Sequence, residues 1–304
     1  CFLKTLGDIM KVVYGHTDSI YVQIDSIEKA EQSIKAIEAS VREHFPNVLG
    51  LEQHPVVLEF EKYYSALGVG TTKNRNAGLV SWEDGVWLDE PKFTMTGFTA
   101  KRVSETKLAK EVQTTTLKMW INQKSLTEIN SYLTKKYTDI MNGELDKSSI
   151  IKRSRLRKER FTVKCPECKK NHTLKECLSI KWCDKCGTEP KLFLTTKYKK
   201  PSIGSGIAGI LYAWEKEDKT FDDSYLFMKV KDVNDVYTHP LTKEKREVEY
   251  VAGTLYEDFD NYTPNYKHYA EEVIKKATPV YKAMNWDISS IRTGKLQTKL
   301  DDWW

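Results

Sequence analysis

Two pairs of closely spaced cysteines constrain the fold of this chain more than any other feature. The first pair is Cys165 and Cys168, and the second, Cys183 and Cys186, follows after fourteen intervening residues. Two CxxC pairs at this separation are typical of a zinc ribbon, in which four thiolates hold one Zn²⁺ in a closed tetrahedral site. The alternative is a set of four reduced cysteines with a structural role and no metal.

The small size of the segment around these cysteines favours the zinc ribbon. The ribbon would span residues 162–190, and a fold of that size buries too little apolar surface to be stable without its metal. His172 and Cys177 lie between the two pairs. We interpret both as bystanders, because four thiolates already complete the coordination of Zn²⁺.

The composition limits the partners that this chain could bind. We find no signal-peptide pattern and no apolar run of the roughly 18 residues that a membrane helix needs, so no membrane partner is expected. The net charge is only +5, so a polyanionic partner must be argued from local clusters. The clearest is the basic run from Lys152 to Arg160, which is either a solvated face or a phosphate contact.

Hydrophobic periodicity predicts an α+β protein. Residues 12–24 read as a strand, a tight turn and a second strand, and Ser26 can cap a helix that follows. Residues 55–64 read as a strand, and residues 77–88 as a hairpin around Glu83-Asp84-Gly85.

Helical patterns dominate after Ser104. Ser125 and Glu128 form a capping-box pattern for a helix that stops at Asn142-Gly143. Thr263-Pro264 predicts a cap and a first-turn proline for a final long helix.

The segment Tyr14-Gly15-His16-Thr17-Asp18-Ser19 is the sharpest candidate for chemistry. A carboxylate on a tight turn between two strands is held rigidly and reaches solvent, which suits a magnesium-dependent phosphoryl transferase. Taken alone, an acidic hairpin turn is usually only a turn.

This segment resembles motif C of the family B DNA polymerases, commonly Tyr-Gly-Asp-Thr-Asp-Ser, and further blocks follow in the family's order. Residues 58–64 are similar to the palm strand with its accessory acidic residue. Residues 72–78 lie where the family has its Lys-Lys-Arg-Tyr-Ala-Gly stretch. Residues 97–113 are similar to the palm-to-thumb junction, and residues 255–284 resemble the last thumb helix, archaeal enzymes being the most similar.

The resemblance implies a division of the chain into domains. Residues 1–100 would be the C-terminal half of a palm, and residues 101–296 a mainly helical thumb with the ribbon, residues 162–190, inserted. Residues 297–304 would be a tail that binds a sliding clamp.

The resemblance also assigns roles to individual residues. It implies that Asp18 is a catalytic ligand of Mg²⁺ and that Glu59 is an accessory catalytic carboxylate, although Glu59 could instead pair with a lysine. The DNA-binding residues that it implies are Thr17, Lys73, Arg75, Lys101 and Arg102. Lys73 could also be a solvated loop residue.

The chain departs from the family pattern at three places. His16 stands where motif C has its first aspartate, and Asn74 and Asn76 stand where the family has a lysine and a tyrosine. The principal aspartate of motif A lies outside this chain, as do the fingers. Two-metal catalysis needs a carboxylate from each side, so we expect the chain to act only with a partner polypeptide that carries them.

Because the chain begins with Cys1 and not with methionine, we interpret it as a subunit or fragment, and the resemblance makes it the C-terminal one of a split enzyme. A first cysteine is what intein splicing leaves, and the alternative is a plain boundary of the sequence. With its partner it would extend primer-template DNA with deoxynucleotides. The alternative is a non-catalytic, polymerase-derived architectural subunit that bridges DNA and clamp.

The last eight residues match a clamp-binding box. Gln297 would make a polar anchor, and Leu300, Trp303 and Trp304 would enter an apolar pocket of a PCNA-type clamp from one helical turn. The alternative is a tail that docks on its own thumb. Such a clamp implies an archaeal or eukaryotic-like replication system, and hence a cytoplasmic location at the archaeal nucleoid, or a nuclear one only in a eukaryote.

Overall fold

A computed structural model describes residues 11–16, 19–72, 74–155, 162–190, 205–206, 208–209, 224–231, 237–238, 245–246 and 249–295. The chain packs into two compact units. The first unit comprises Cys1–Phe98, Leu117–Ser125 and Lys282–Asn285. The second unit comprises Thr99–Thr116, Leu126–Tyr281 and Trp286–Trp304.

The first part of the chain alternates strands with one long helix. Its elements are β1 Lys11–His16, β2 Ser19–Gln23, α1 Ile27–His44, β3 Lys62–Val69, β4 Asn76–Glu83 and β5 Val86–Thr96. β1 and β2 form an antiparallel pair, and β3, β4 and β5 form an antiparallel sheet with β4 in the centre.

The rest of the chain contains helices, a second three-stranded sheet and two short hairpins. Its elements are α2 Lys107–Ile121, α3 Leu126–Met141, β6 Lys152–Arg155, β7 Thr162–Lys164, β8 Asn171–Thr173, α4 Leu174–Ser179, β9 Ser224–Lys229, β10 Tyr237–Thr238, β11 Lys245–Arg246, β12 Tyr250–Gly253, α5 Tyr266–Met284 and α6 Ser290–Thr293. β9 lies between β6 and β12, while β7 pairs with β8 and β10 with β11, all antiparallel. Antiparallel sheets combined with helices confirm the α+β class.

Local sequence signals explain several of these boundaries. The Ser26 hydroxyl accepts a hydrogen bond of 3.3 Å from the Lys29 amide and so caps α1, as predicted. Asp84 and Gly85 both have positive φ, 51° and 88°. This pair gives the β4–β5 hairpin a turn whose twist matches its strands. Gly143, with φ of 83°, ends α3 at the predicted residue.

One side of α1 covers the first hairpin. Ile37 and Val41 are buried, and the side chains packed against them come from β1, β2 and the segment before β3: Val12, Ile20, Val56 and Leu58. This cluster fixes the strands on either side of the turn that carries the candidate catalytic residues.

The predicted strand over residues 55–64 is wrong for most of its length, because β3 begins only at Lys62. The Val56 carbonyl accepts a hydrogen bond of 3.1 Å from the Arg42 guanidinium, and the Val56 amide donates to the His54 ring over 3.0 Å. Side chains therefore satisfy backbone groups that a strand neighbour would otherwise pair.

The core of the second unit contains a buried hydrogen-bond network on three helices. The Asn130 side-chain oxygen on α3 accepts from the Tyr281 hydroxyl of α5 over 2.9 Å and from the Ser290 hydroxyl of α6 over 2.7 Å. Burial raises the pKa of Tyr281 to about 12, so its hydroxyl stays a donor.

Two expectations for this part of the chain need correction. Asn265, not Thr263, caps α5, since its side-chain oxygen accepts from the His268 amide over 3.0 Å. The backbone of Thr263 and Asn265 instead pairs with Lys231 and Lys229 at the end of β9. The sheet β6-β9-β12 is a further difference, because the sequence predicts a mainly helical region there.

None of the described helices is both long and apolar enough to cross a membrane.

Candidate functional site

The strands that flank the candidate catalytic turn form the predicted hairpin. His16 pairs with Ser19, so β1 and β2 approach each other directly at the turn. The turn residues Thr17 and Asp18, predicted to bind DNA and Mg²⁺, lie outside the described residues. Their assignments therefore stay predictions.

Tyrosines connect this hairpin to the sheet of the first unit. The rings of Tyr14 and Tyr21 lie 5.4 Å apart, and those of Tyr21 and Tyr64 on β3 lie 6.0 Å apart. Burial and the neighbouring Tyr64 raise the pKa of Tyr21, so this ring stays neutral. The hairpin is thereby packed on the strand that leads to the predicted primer-binding loop.

Glu59 is exposed in the segment before β3. The adjacent Leu58 packs into the apolar cluster that β1 and β2 share, which ties this segment to the hairpin strands. Lys62 hydrogen-bonds Glu61 and lies 3.3 Å from Glu83, and the Glu61 contact raises the pKa of Lys62 despite partial burial. The lysine closest to Glu59 in sequence is therefore paired with other carboxylates.

The predicted primer-binding loop connects β3 to β4. The Gly70 amide donates to the Arg75 carbonyl over 2.8 Å and closes the loop, and Arg75 is half-buried. The Asn74 amide donates to the Tyr14 hydroxyl over 3.0 Å. Lys73, the other predicted contact, lies outside the described residues. The structure thus joins this loop to the strand that leads into the candidate catalytic turn.

Lys101 and Arg102 lie at the end of a short 3-10 turn, Thr99–Lys101, and are exposed. The side-chain oxygen of Gln113 on α2 accepts from the Ala100 amide over 2.8 Å and from the Thr99 hydroxyl over 3.1 Å. The two cationic side chains therefore extend from a turn whose backbone is fixed.

An ion pair that the sequence did not suggest fixes this turn further. Lys276 on α5 is only 8% exposed, and its ammonium donates to the Thr99 hydroxyl over 3.0 Å and to a Glu105 carboxylate oxygen over 2.5 Å. Lys152 lies 3.3 Å from the other oxygen of Glu105. Burial raises the pKa of Glu105, but the bond from Lys276 and the charge of Lys152 outweigh it and hold the pKa below its ordinary value.

The four cysteines of the two CxxC pairs converge as predicted. The Cys165 and Cys186 sulfurs lie 3.4 Å apart, those of Cys168 and Cys183 lie 3.7 Å apart, and all four lie within 4.8 Å of one another. With Zn–S bonds of about 2.3 Å, a tetrahedral site places its sulfurs roughly 3.8 Å apart. The donor set therefore fits Zn²⁺.

Matching backbone hydrogen bonds build the two cysteine turns. The Lys169 amide donates to the Cys165 carbonyl over 3.1 Å, and the Gly187 amide donates to the Cys183 carbonyl over 2.8 Å. The Cys165 and Cys183 amides in turn donate across their turns, each over 2.9 Å. β7 leads into the first cysteine turn, and β8 and the short α4 lie between the two turns in sequence.

The two residues interpreted as bystanders are both buried. The Nε2 atom of His172 lies 3.5 Å from the Cys183 sulfur. The ligand atoms of His172, Cys183 and Asp184 lie within 4.8 Å of one another, so these three residues are a second candidate metal site. Burial raises the pKa of the Cys177 thiol to about 12, and its sulfur is not among the ligand atoms that converge in the described residues. The contact at Cys183 makes His172 a neighbour of the cysteine cluster, which the sequence spacing did not indicate.

The predicted clamp-binding residues Gln297, Leu300, Trp303 and Trp304 lie outside the described residues. The described chain ends with α6, closed by Gly294 in the left-handed conformation, φ 67°. The clamp-binding tail therefore stays a prediction.

Comparisons with known proteins find similarity to two DNA polymerases. The DNA polymerase zeta catalytic subunit of Arabidopsis thaliana is 26% identical over 141 residues, which are 46% of this chain and 7% of the plant protein. The family B DNA polymerase structure from the hyperthermophilic archaeon Pyrobaculum calidifontis aligns with a TM-score of 0.49 at 16% identity, covering 98% of this chain and 28% of the archaeal one. The chain thus spans well under a third of either protein.

The family model described as DNA polymerase family B matches residues 6–172. This match includes the hairpin, Glu59, the β3–β4 loop, Lys101 and Arg102, and it reaches the first cysteine pair. It extends over more than half of the 304 residues. The chain therefore belongs to DNA polymerase family B.

Proposed function

We propose that this chain is the C-terminal part of a family B replicative DNA polymerase, from palm motif C through the thumb. The reaction is the template-directed attack of a primer 3′-hydroxyl on the α-phosphate of a deoxynucleotide, with pyrophosphate as the leaving group. The observation that carries the proposal is the family match over residues 6–172, which includes every predicted active-site and DNA-binding residue.

The first unit would act as part of the palm. Asp18 would hold Mg²⁺ together with an aspartate from the partner polypeptide, and the bound ions would supply charge stabilisation for the attacking and leaving oxygens. Glu59 would be the accessory carboxylate. Leu58 packs against the same buried residues of α1 as Val12 and Ile20, which supports this role because it ties the Glu59 segment to the hairpin strands.

The second unit would act as the thumb and grip the duplex. Lys101 and Arg102 are exposed on a turn that Gln113 and Lys276 hold in place. Cations carried on a fixed turn suit contacts with phosphates, because less backbone entropy is lost on binding. Arg75 and Lys73 would contact the primer strand nearer to the reacting end.

The cysteine cluster would hold one structural Zn²⁺ through Cys165, Cys168, Cys183 and Cys186. The chemistry of the donors supports this assignment, since four thiolates form a closed site without a position for substrate. The tail from Gln297 to Trp304 would tether the enzyme to a PCNA-type clamp.

A second candidate function is a non-catalytic subunit that bridges DNA and clamp. The observation that favours it is His16, which pairs with Ser19 beside the catalytic turn and replaces a carboxylate that the family commonly has there. An imidazole supplies no negative charge for a metal ion. In this alternative the exposed cations would still bind DNA and the tail would still bind the clamp, but the chain would not take part in nucleotide transfer.

The experiment is reconstitution with a polypeptide that carries motif A and the fingers. We expect no primer extension by this chain alone and magnesium-dependent extension by the complex. DNA and clamp binding by a complex that extends no primer would support the bridging function. Absence of both extension and DNA binding would contradict both candidates.

A further inference from the structure

The peptide groups of one residue in the loop between β3 and β4 lie close to distant parts of the first unit. Asn74 has a positive φ of 62°, a conformation in which few residues other than glycine and asparagine are found. Its side chain is exposed, so its contacts with the protein core come from its backbone.

The amide side of Asn74 is held by the candidate catalytic strand. The N–H donates to the Tyr14 hydroxyl over 3.0 Å, across 60 positions of sequence. Tyr14 lies on β1, two positions before His16, which pairs with Ser19 across the catalytic turn. A displacement of β1 would therefore be transmitted to the loop by one hydrogen bond.

The carbonyl oxygen of Asn74 closely approaches Gly97, just after β5. Gly97 has a φ of 75°, and a Cβ atom placed on it would lie 1.8 Å from the Asn74 carbonyl oxygen. Only a residue without a side chain permits this approach. We call the Tyr14 hydroxyl, the Asn74 peptide groups and Gly97 the Asn74 junction.

We infer that Tyr14 is a positioning residue, which through the Asn74 junction sets the β3–β4 loop and Arg75 in register with the strands that flank the catalytic turn. The inference rests on the proposed function, since it assigns to Arg75 and Lys73 the primer whose end reacts at Asp18. Three features define the geometry of the loop. They are the hydrogen bond from the Asn74 amide to Tyr14, the close approach of the Asn74 carbonyl to Gly97, and the bond from the Gly70 amide to the Arg75 carbonyl over 2.8 Å.

The junction explains how asparagine can stand at position 74. The bond to Tyr14 uses the backbone N–H, so it does not depend on the side chain, and asparagine tolerates the left-handed conformation. The departure from the family's lysine therefore leaves the attachment of the loop intact.

The test compares Tyr14→Phe with the matched variant Tyr63→Phe in the reconstituted polymerase. Both lose one hydroxyl from the first unit, but Tyr63 pairs with Trp82 near the other end of β3. We expect Tyr14→Phe to raise the KM for primer-template about five-fold, as for the loss of one hydrogen bond. The KM for deoxynucleotide should change little, and Tyr63→Phe should match the parent in both.

A second measurement does not depend on activity. Hydrogen exchange at the Asn74 amide should become faster in Tyr14→Phe of the full chain, and it should stay at the parental rate in Tyr63→Phe. Asn74→Gly keeps both the N–H and the positive φ, so its KM for primer-template should stay close to the parental value.

The outcomes separate this inference from the proposed function. A parent complex that extends no primer would contradict the proposed function, whereas the exchange data would still test the Asn74 junction. Extension by the parent with an unchanged primer-template KM in Tyr14→Phe would overturn the inference alone. Unchanged exchange at Asn74 would also overturn it.

Discussion

Lys169 and Gly187 have the same left-handed backbone conformation at equivalent positions of the two cysteine turns, with φ of 61° and 74°. Each follows the second cysteine of its pair, and each amide donates to the carbonyl of the first cysteine. The two turns therefore share one backbone conformation, with glycine at the left-handed position of one and lysine at that of the other.

This relationship predicts opposite effects of two substitutions on the ribbon. Gly187→Ala should lower its free energy of unfolding by about 1 kcal/mol, because a side chain is disfavoured at positive φ. Nothing lies within 4 Å of the added Cβ, so steric contact should not contribute. Lys169→Gly removes the same strain and should raise the free energy of unfolding by up to about 1 kcal/mol.

Chelator-induced unfolding of the ribbon, followed by tryptophan fluorescence, measures both effects. Equal midpoints for Gly187→Ala and the parent would argue against the assigned turn geometry.

The cysteine cluster predicts one zinc ion per chain. Serine substitution of Cys165, Cys168, Cys183 or Cys186 should each weaken zinc binding by at least an order of magnitude, since metal binding and folding are coupled in a ribbon. Cys177→Ala and His172→Ala should keep one zinc per chain, and His172→Ala should bind it more weakly because a group beside the Cys183 sulfur is lost.

Elemental analysis and competition with a chromogenic chelator provide the measurement. Protein prepared without chelators that contains no zinc would refute the site.

Lys276→Met should destabilise the second unit by on the order of 3 kcal/mol, because it leaves the Glu105 carboxylate largely buried with one partner fewer. The control is Lys275→Met, whose ammonium is exposed and pairs with Glu272 within one helical turn, so it should cost under about 0.5 kcal/mol. Urea unfolding of both variants checks the difference.

The same pair predicts a dependence on pH. The pKa of Glu105 in the folded protein lies below its ordinary value of 4.5, so its contribution is complete above that value and is lost as the pH falls through the folded pKa. The stability difference between Lys276→Met and the parent should therefore shrink below about pH 4. A difference that is constant between pH 7 and pH 3 would show that the ion pair is not its source.

Local signals in the sequence were sufficient for many elements of the fold. Ser26 caps α1, and Asp84-Gly85 turns the β4–β5 hairpin, because both effects act between near neighbours. The errors arose where distant groups compete with local preference. In the segment predicted to be a strand, the side chains of Arg42 and His54 hydrogen-bond the backbone of Val56. The backbone around Thr263 pairs with residues at the end of β9.

The candidate site was predictable to a similar extent. Spacing alone identified the four cysteines, because two CxxC turns separated by one strand and one short helix lie near each other in the chain. The partners of Lys276 and Tyr14 could not be predicted, since they lie 171 and 60 positions away and nothing in the local sequence marks these pairs.

The tail provides a prediction for the clamp. Deleting residues 297–304 should abolish binding to a PCNA-type clamp and clamp-stimulated synthesis, while synthesis on short primed templates stays near the parental rate. Trp303→Ala and Trp304→Ala should each cost about 2 kcal/mol of binding free energy, or roughly thirty-fold in Kd. Lys299→Ala, at a free position of the box, should cost little. Parental affinity in the double tryptophan variant would show that the tail has another role.

The most direct test of the account is the rate of primer extension by the reconstituted complex carrying Asp18→Ala. If Asp18 holds the catalytic Mg²⁺, the single-turnover rate should fall by several orders of magnitude while primer-template affinity and zinc content stay unchanged. Extension at close to the parental rate would contradict the account, because the carboxylate of the hairpin turn would then have no part in the chemistry.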